Sequence, residues 1–504
     1  MCEYEFSPSE FDSTNIDTTT VEEYWSCPQK SYADHDKCIF HLDEDTREAK
    51  GISSKDIVEK FESILRQKDS NEWKFIGANI PEIILDRIEI NNTDKYSIDL
   101  RHATIEGDFS IQWSDVRHSI DLRHATVGSV NLKESKLLDR CLFSGTIFEG
   151  QFTAEATVFN EDVDFEGCTF NQEVNFEETR FHGDTCLRNT EFHSKASFDG
   201  VEFQGDANLK SDDACFEHAV FHSDASFVKA RFRYADFIDV NFDSSANFDE
   251  AIFTGDAEFA KGAFDGPVSF RGTEFQGDAN LMFDDADFSD VTFHDEADFT
   301  QSKFNLANFK RCKFNQCATF ESAEFGNDAM FDESHFIGEL NAKEARFGRD
   351  TSFKNATFEA RCEFQGVEFK GGDNTEDDDI TFESTTFADT ANFDYGIFGY
   401  TNFTECVFSE VSFTNARFND KTEFSNSDFE HDALFTEARF RSDSNFEHTS
   451  FGEDAIFRGC EFQGGDNVKH DDLTFKNSEF GGIVDFTAAI FRLANFKRVI
   501  CEGS

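Results

Sequence analysis

The sequence predicts an all-β solenoid, a fold in which the chain winds in successive coils around a narrow apolar interior. The 504 residues include 66 Phe, against 7 Tyr and 3 Trp. Large apolar residues recur at alternating steps of five and six positions, as at Phe159, Phe165, Phe170, Phe176, Phe181, Leu187, Phe192, Phe198 and Phe203. Neither an α-helix nor an ordinary alternating strand has this period.

A small residue stands two positions before most of these aromatic residues, as Ala307 does before Phe309. Alternate residues of an extended segment share a face, so we expect both side chains to point inward. The polar residues between them are typical of turns and of a solvated outer surface. Six cysteines occupy the small position and are expected to be buried fillers, namely Cys141, Cys168, Cys312, Cys362, Cys406 and Cys460.

This repeat resembles that of the pentapeptide repeat proteins, and the resemblance covers about residues 95–504. It implies a right-handed quadrilateral parallel β-helix, in which four five-residue faces form one square coil. Alternate faces here carry a sixth residue, as in FTGDAEF at 253–259. We therefore expect coils of about 22 residues, which is also the spacing of the two DLRHAT segments at 99–104 and 121–126.

The spacing is interrupted four times by a 13-residue step, within 202–216, 274–288, 368–382 and 461–475. The five/six alternation keeps its phase only if each break replaces one face, which predicts that all four lie on one side. Their carboxylates could bind Ca²⁺ or another hard cation, or could belong to solvated turns. The candidate ligands are Asp206, Asp212, Asp213, Asp278, Asp284 and Asp285, with Asp373, Asp377, Asp378, Asp379, Asp466, Asp471 and Asp472 in the later breaks.

Residues 1–50 lack the repeat but contain Cys2, Cys27, Cys38 and His41. Three thiols and an imidazole are a plausible structural zinc set, and the metal would give this short polar segment a core. The alternative is a group of reduced thiols beside aromatic residues. The Cys-Pro and CIFH sequences also resemble the N-terminal segment of pentapeptide repeat proteins from halophilic archaea.

Residues 51–94 are expected to form a capping helix and the entry to the solenoid, which then occupies 95–504. Ser54 is the predicted N-cap of a helix over 55–67, whose apolar face would cover the first coil and its open β-edge. The apolar residues of that face are Ile57, Phe61, Ile64 and Leu65. No helix is predicted near residue 504, so a homodimer through the C-terminal coils is expected, as the resemblance also implies.

The net charge is −56, from 102 acidic and 46 basic residues. Such a field repels nucleic acid and anionic membranes, and no segment approaches the ~20 apolar residues of a membrane span. The acidic, polar first residues do not resemble a secretory signal, so we expect a cytoplasmic protein with reduced thiols. The acidity suits either a cytoplasm of very high salt, as in halophiles, or a surface that imitates DNA.

No catalytic constellation stands out, so an enzyme is not expected. The favoured interpretation is a rigid scaffold that presents an acidic surface to an unidentified protein partner. The resemblance implies an alternative, a DNA mimic that inhibits or protects type II topoisomerase, although acid spread over all outward positions weakens this. A second alternative is a metal-dependent sensor that uses the Cys/His segment.

Overall fold

A computed structural model describes residues 1–7, 24–66, 73–90, 97–205, 213–277, 285–371, 380–464 and 472–502. The chain divides into two compact units, Met1–Ser226 and Phe227–Ser504. In each unit, two-residue strands stack in parallel into four faces, which we name A, B, C and D in the cyclic order in which the chain passes through them. Each strand pairs in register with the strand one coil away, for example Ile98 with Ile120. The predicted β-solenoid is confirmed.

The strands of the first unit fall into four stacks. Face A contains Ile98–Asp99, Ile120–Asp121, Cys141–Leu142, Val163–Asp164, Thr185–Cys186 and Ala214–Cys215. Face B contains Asn79–Ile80, Thr104–Ile105, Thr126–Val127, Ile147–Phe148, Thr169–Phe170, Glu191–Phe192 and Val220–Phe221. Face C contains Ile83–Ile84, Phe109–Ser110, Val130–Asn131, Phe152–Thr153, Val174–Asn175, Ala196–Ser197 and Ala225–Ser226. Face D contains Glu89–Ile90, Asp115–Val116, Lys136–Leu137, Val158–Phe159, Arg180–Phe181 and Glu202–Phe203.

The second unit repeats the arrangement over more coils. Face A contains Ala235–Asp236, Ala257–Glu258, Ala286–Asp287, Ala307–Asn308, Ala329–Met330, Thr351–Ser352, Ile380–Thr381, Thr401–Asn402, Thr422–Glu423, Ser444–Asn445, Leu473–Thr474 and Ala494–Asn495. Face B contains Asn241–Phe242, Ala263–Phe264, Thr292–Phe293, Lys313–Phe314, His335–Phe336, Thr357–Phe358, Thr386–Phe387, Val407–Phe408, Asp428–Phe429, Ser450–Phe451, Glu479–Phe480 and Ile500–Cys501. Face C contains Ala246–Asn247, Val268–Ser269, Ala297–Asp298, Ala318–Thr319, Leu340–Asn341, Cys362–Glu363, Ala391–Asn392, Val411–Ser412, Ala433–Leu434, Ala455–Ile456 and Val484–Asp485. Face D contains Arg231–Phe232, Ile252–Phe253, Glu274–Phe275, Lys303–Phe304, Glu324–Phe325, Arg346–Phe347, Glu368–Phe369, Ile397–Phe398, Arg417–Phe418, Arg439–Phe440, Glu461–Phe462 and Ile490–Phe491.

The 22-residue coil follows from two kinds of corner. Between faces A and B the corner is a four-residue turn, in which the Ala103 N–H donates to the Leu100 carbonyl at 3.1 Å. His102 in this turn has a φ of 57°, as the third residue of a type II turn requires. The corners between faces C and D are of the same kind, whereas the sixth residue of a step, such as that from Ile105 to Ile111, lies at the other two corners. Alternation of the two corner types therefore explains the five/six spacing.

The interior consists of columns of inward-facing phenylalanine rings. On face A of the second unit, the Phe309 ring lies 4.8 Å from that of Phe288 and 5.0 Å from that of Phe331, and the three rings are nearly parallel. The ring of Phe299, on face C, meets Phe309 edge-on at 5.4 Å. Offset stacks within a column and edge-to-face contacts between columns are both favourable aromatic geometries. Phe309 is fully buried by these contacts.

The small inward position is filled by residues that also satisfy the backbone. The Cys168 and Cys312 thiols each lie 2.9 Å from the carbonyl oxygen of a preceding coil, that of Phe143 and that of Phe288. All six cysteines predicted to be fillers are buried. Burial raises the pKa of each of these thiols, that of Cys460 to about 12, so they are protonated at neutral pH.

The segment that precedes the solenoid contains an antiparallel pair of strands, Glu5–Phe6 and Trp25–Ser26, and two helices, α1 (Glu44–Lys50) and α2 (Ser54–Leu65). The apolar face predicted for α2 is buried. The predicted N-cap was wrong by one residue, because the Ser53 hydroxyl accepts from the Asp56 N–H while the Asp56 carboxylate accepts from the Ser53 N–H. The helix ends at Leu65 instead of residue 67, and α1 was not predicted.

The stack of coils begins at residue 79, ahead of the expected residue 95. Asn79–Ile80 already pairs with Thr104–Ile105. Its first inward residues are Ile80, Ile83 and Ile90, all buried. These aliphatic residues fill the same inward positions as phenylalanine does later, so the phenylalanine spacing could not mark this boundary.

Replacing Phe309 by Ala is expected to lower the free energy of unfolding by about 3–5 kcal/mol, because the change leaves a cavity in the ring column. Denaturant-induced unfolding monitored by circular dichroism measures the loss. Leu434→Ala is the control, since Leu434 lies on the outer side of face C and is 36% exposed. An unfolding curve that is the same for Phe309→Ala and the wild type would contradict the inward position of this ring.

Candidate metal centre and acidic corner

The four predicted metal ligands come together at the start of the chain. Cys2 and Cys27 are brought close by the antiparallel pairing of Glu5–Phe6 with Trp25–Ser26, and Cys38 and His41 lie on the turn that precedes α1. All four side chains are buried. One sulfur or nitrogen atom from each lies within 4.8 Å of those of the other three. The sequence therefore identified a set that the fold assembles.

The sulfur and nitrogen atoms of this Cys/His cluster lie close together but are not covalently bonded to one another. The sulfurs of Cys27 and Cys38 are 3.8 Å apart, well beyond the ~2.05 Å of a disulfide. The Nδ1 atom of His41 lies 3.1 Å from the Cys38 sulfur and 3.8 Å from the Cys2 sulfur. The cluster is thus a set of reduced thiols around one imidazole nitrogen.

The orientation of the His41 ring is fixed from outside the cluster. Its Nε2 atom lies 2.9 Å from the Ile76 carbonyl oxygen. A carbonyl can only accept, so Nε2 carries the proton and Nδ1 presents its lone pair to the thiols. The ring also stacks on Tyr4, with ring centroids 3.9 Å apart and an interplanar angle of 8°.

One thiol of the cluster is more acidic than an ordinary cysteine. The Cys27 thiol donates a hydrogen bond to Cys38, which lowers the pKa of Cys38. The same hydrogen bond raises the pKa of Cys27, and burial raises the pKa of Cys2. Three sulfurs and one imidazole nitrogen make the cluster rich in electron-pair donors.

The Cys/His cluster lies against the entry to the solenoid. The Asn79 N–H donates to the Phe40 carbonyl at 2.8 Å, next to the candidate ligand His41. The buried guanidinium of Arg47, on α1, donates to the carbonyls of Phe40 and Asn79. The cluster, α1 and the first face B strand are therefore joined by direct hydrogen bonds.

The four breaks in the repeat all follow a strand of face D and precede a strand of face A. In the second unit, three breaks therefore lie at one corner, as their phase predicted. Most of the predicted cation ligands lie outside the described residues, namely Asp206, Asp212, Asp278, Asp284, Asp373, Asp377, Asp378, Asp379, Asp466 and Asp471. Asp213, Asp285 and Asp472 are described and buried.

The last carboxylate of a break bonds to the next coil. Asp285 accepts hydrogen bonds from the Asn305 side chain at 2.7 Å and from the Leu306 N–H at 3.1 Å. Asp472 is bound in the same way by the Arg492 guanidinium and the Leu493 N–H, both at 2.8 Å. Sequence reasoning did not assign this closing role, although the fixed position of the Asp before the next small residue was a signal for it.

Exposed carboxylates recur between faces B and C of the second unit, and we name them the acidic corner. Three of them contact a histidine: Asp265 with His294 at 3.6 Å, and Glu359 and Glu453 with histidines of adjacent coils. The corner comprises Asp243, Asp265, Glu296, Glu339, Glu359, Asp389, Glu410, Glu430, Asp432 and Glu453. They are contributed by most coils of this unit.

Face D of the second unit differs over residues 274–368, where its outer residues alternate in charge from coil to coil. Lys303 pairs with Glu274 at 2.8 Å, and Arg346 pairs with Glu324 at 3.1 Å and with Glu368 at 3.7 Å. In-register stacking places these residues directly above one another, so opposite charges on successive coils attract. The expectation that acid covers all outward positions was therefore wrong.

A further set of donors was not predicted from the sequence. Glu191, His193 and His222 are exposed on the first unit, and one ligand atom of each lies within 4.8 Å of the others. The two histidine rings stack with centroids 4.8 Å apart. Each histidine directly follows the inward Phe of a face B strand. The equivalent positions of the two histidines in successive coils could therefore have predicted that they lie side by side.

The repeats match a known family over much of both units. The family described as pentapeptide repeats (9 copies) matches residues 132–180, 211–252, 299–341, 331–377 and 424–470. The related description, pentapeptide repeats (8 copies), matches residues 391–420. The chain is a pentapeptide repeat protein. This finding agrees with the four-faced parallel coils of both units.

One similar solved structure is HetL, a pentapeptide repeat protein involved in regulation of heterocyst differentiation in the cyanobacterium Nostoc sp. strain PCC 7120. The two chains share 13% identity over 60% of this pentapeptide repeat protein and 96% of HetL, with a TM-score of 0.15. No curated protein matches this chain. Among the described residues, neither helix has the length and apolar character needed to cross a bilayer.

Gly277→Ala is expected to destabilise the second unit more than Gly272→Ala does. Both glycines have a positive φ, 63° and 64°, so each substitution costs roughly 1–2 kcal/mol of backbone strain. Only a Cβ at Gly277 meets the closing carboxylate, 2.0 Å from Asp285, whereas the nearest atom to one at Gly272 is 3.9 Å away. We expect about 1–3 kcal/mol of additional loss for Gly277→Ala.

Denaturant unfolding of the two variants and the wild type measures this difference. Equal losses would contradict the close approach of Asp285 to the backbone at Gly277.

Proposed function

We propose that this pentapeptide repeat protein is a non-catalytic scaffold whose acidic corner binds a basic surface of a partner protein. The observation that carries the proposal is the repetition of exposed carboxylates along one corner of the second unit, whereas charged residues on face D are paired. Successive coils are separated by about 4.8 Å. The corner therefore offers a dense and regular negative surface, and the paired charges of face D do not.

The rigidity of the stacked coils supports this function. Carboxylates attached to hydrogen-bonded strands keep their positions. Few groups of the scaffold therefore become ordered when a partner binds, and the entropic cost of binding is small. A concentrated negative field also accelerates the approach of a positively charged partner and selects against acidic proteins. No partner has to enter a pocket, which suits a surface built from repeated coils.

Neutralising the acidic corner is expected to abolish partner binding. The test variant carries Asp389→Asn, Glu410→Gln, Glu430→Gln and Glu453→Gln. The control carries the same change of charge at the tight corners, where Glu333, Glu344, Glu405 and Glu437 are also exposed and become Gln. Each protein is immobilised, and the proteins captured from native lysate at a fixed salt concentration are identified by quantitative mass spectrometry.

A partner retained by the wild type and the control, but reduced more than tenfold with the corner variant, is the expected result. A partner retained equally by all three proteins would contradict the role of the corner.

The alternative function is imitation of DNA toward a type II topoisomerase. The arrangement of carboxylates in the structure supports DNA mimicry more strongly than the sequence alone did. A DNA mimic needs a regular line of negative charges, and the acidic corner has one. A gyrase supercoiling assay separates the two functions. The scaffold proposal expects no inhibition, whereas inhibition by the wild type that disappears in the corner variant would replace it with the mimic.

We also propose that the overall acidity is an adaptation to a cytoplasm of high salt. The net charge of −56 supports this, because repulsion among so many carboxylates is screened at high ionic strength. The buried free thiols suit a reducing compartment.

A homodimer through the C-terminal coils is proposed as the resting state. The last described coils expose several large apolar side chains, namely Ile483, Ile490, Phe491, Leu493, Phe496 and Ile500. A second copy would cover these residues. Light scattering should give twice the chain mass, and Phe496→Lys should halve it. A wild-type protein that remains monomeric across the micromolar range would contradict this assembly.

A further inference from the structure

We propose that Cys2, Cys27, Cys38 and His41 bind one structural Zn²⁺, which clamps the N-terminal segment onto the first coil of the solenoid. This inference is independent of the acidic corner, which lies in the second unit. The inference goes beyond the observed grouping of four donors. It assigns the metal as zinc, it assigns the site as structural with no open coordination position, and it names the segment whose folding depends on the metal.

The spacing of the donors agrees with a tetrahedral metal. In a tetrahedral site with Zn–S bonds of about 2.3 Å and a Zn–N bond of about 2.0–2.1 Å, two sulfurs lie about 3.8 Å apart and a sulfur and a nitrogen about 3.6 Å apart. The sulfurs of Cys27 and Cys38 are 3.8 Å apart. The two distances from His41 Nδ1 to sulfur, 3.1 and 3.8 Å, lie on either side of the second value.

The donor set selects the class of metal. Three sulfurs and one imidazole nitrogen are soft or borderline ligands, which favour zinc over the oxygen-preferring Ca²⁺ and Mg²⁺. All four positions of a tetrahedron are supplied by protein side chains, and all four are buried. A site of this kind is closed, as structural zinc sites are, and leaves no position for a water or a substrate.

Groups outside the four ligands are arranged as they are around bound metals. Ligating histidines usually donate their other ring N–H to a carbonyl or carboxylate, which fixes the tautomer. His41 does so toward the Ile76 carbonyl. The Cys38 N–H donates to the Cys2 sulfur at 3.1 Å, and a backbone donor of this kind stabilises a thiolate ligand. These contacts are a second observation, independent of the ligand set itself.

The clamp follows from where the ligands lie along the chain. Cys2 belongs to the start of the chain, Cys27 follows the second short strand, and Cys38 and His41 precede α1. His41 is in turn bound to Ile76, three residues before the first face B strand. One metal therefore ties two segments of otherwise polar chain to the entry of the solenoid. Metal binding then contributes directly to folding of this segment.

Elemental analysis of the purified protein tests the site. Protein prepared under reducing conditions with equimolar Zn²⁺, and freed of excess metal by desalting, should contain one zinc per chain. Cys38→Ser should retain less than about a fifth of this amount, since loss of one ligand opens the site. The matched control is Cys312→Ser, which changes another buried thiol, in the second unit, and should keep one zinc per chain.

Spectroscopy of the unmodified protein keeps the test decisive if Cys38→Ser fails to fold. Protein reconstituted with Co²⁺ in place of zinc should show the intense visible absorption of a tetrahedral cobalt thiolate site, and one equivalent of Zn²⁺ should abolish it. Zinc-free wild-type protein, stoichiometric iron, or full zinc content in Cys38→Ser would overturn the assignment.

Hydrogen exchange tests the clamp separately from binding. After removal of the metal by a chelator, peptides from residues 24–66 and 73–90 should exchange faster, and peptides from residues 285–371 should be unchanged. Zinc that binds stoichiometrically without any effect on exchange in residues 24–90 would overturn the clamp.

Discussion

The in-register stacking of large inward side chains, most of them phenylalanine rings, is the constraint on which the rest of this structure depends. A ring can stack on its equivalent, as Phe288, Phe309 and Phe331 do at about 5 Å, only if successive coils are in register. Each coil must therefore contain a fixed number of residues, so that equivalent residues lie above one another. The two corner types set that number. The strain of residues such as His102, with a φ of 57°, is offset by burial of the inward residues on either side, here Leu100 and Ile105.

The same register organises the outer surface. Residues at equal positions in successive coils lie above one another, so a sequence bias at one position becomes a line on the surface. Alternating charge gives the ion pairs of Lys303 and Arg346 on face D, whereas repeated acid gives the acidic corner. The breaks obey the same rule, because Asp285 returns the chain to the next coil through hydrogen bonds to Asn305 and Leu306. Surface chemistry is thus a consequence of interior packing.

Much of this architecture could be predicted from the sequence because it depends on short-range spacing. The coil length, the common corner of the breaks and the buried cysteines all follow from the periodic positions of Phe and its small neighbour. The start of the stack could not be predicted in this way, since Ile80 and Ile83 fill the interior without Phe. The closing role of Asp285 and the ion pairs of face D depend on contacts between coils, which composition does not reveal. The Cys/His cluster could be named from its residue types, but its geometry depends on the pairing of Glu5–Phe6 with Trp25–Ser26.

A double-mutant cycle on neighbouring rings tests the central claim most directly. The cycle combines Phe309→Leu with Phe331→Leu, and a reference cycle combines Phe309→Leu with Phe435→Leu, a ring several coils away. Stacking in register predicts a coupling energy of about 0.5–1.5 kcal/mol for the neighbouring pair. The distant pair should be additive within about 0.5 kcal/mol. Equal and negligible coupling in both cycles would contradict the claim that stacked rings hold the coils in register.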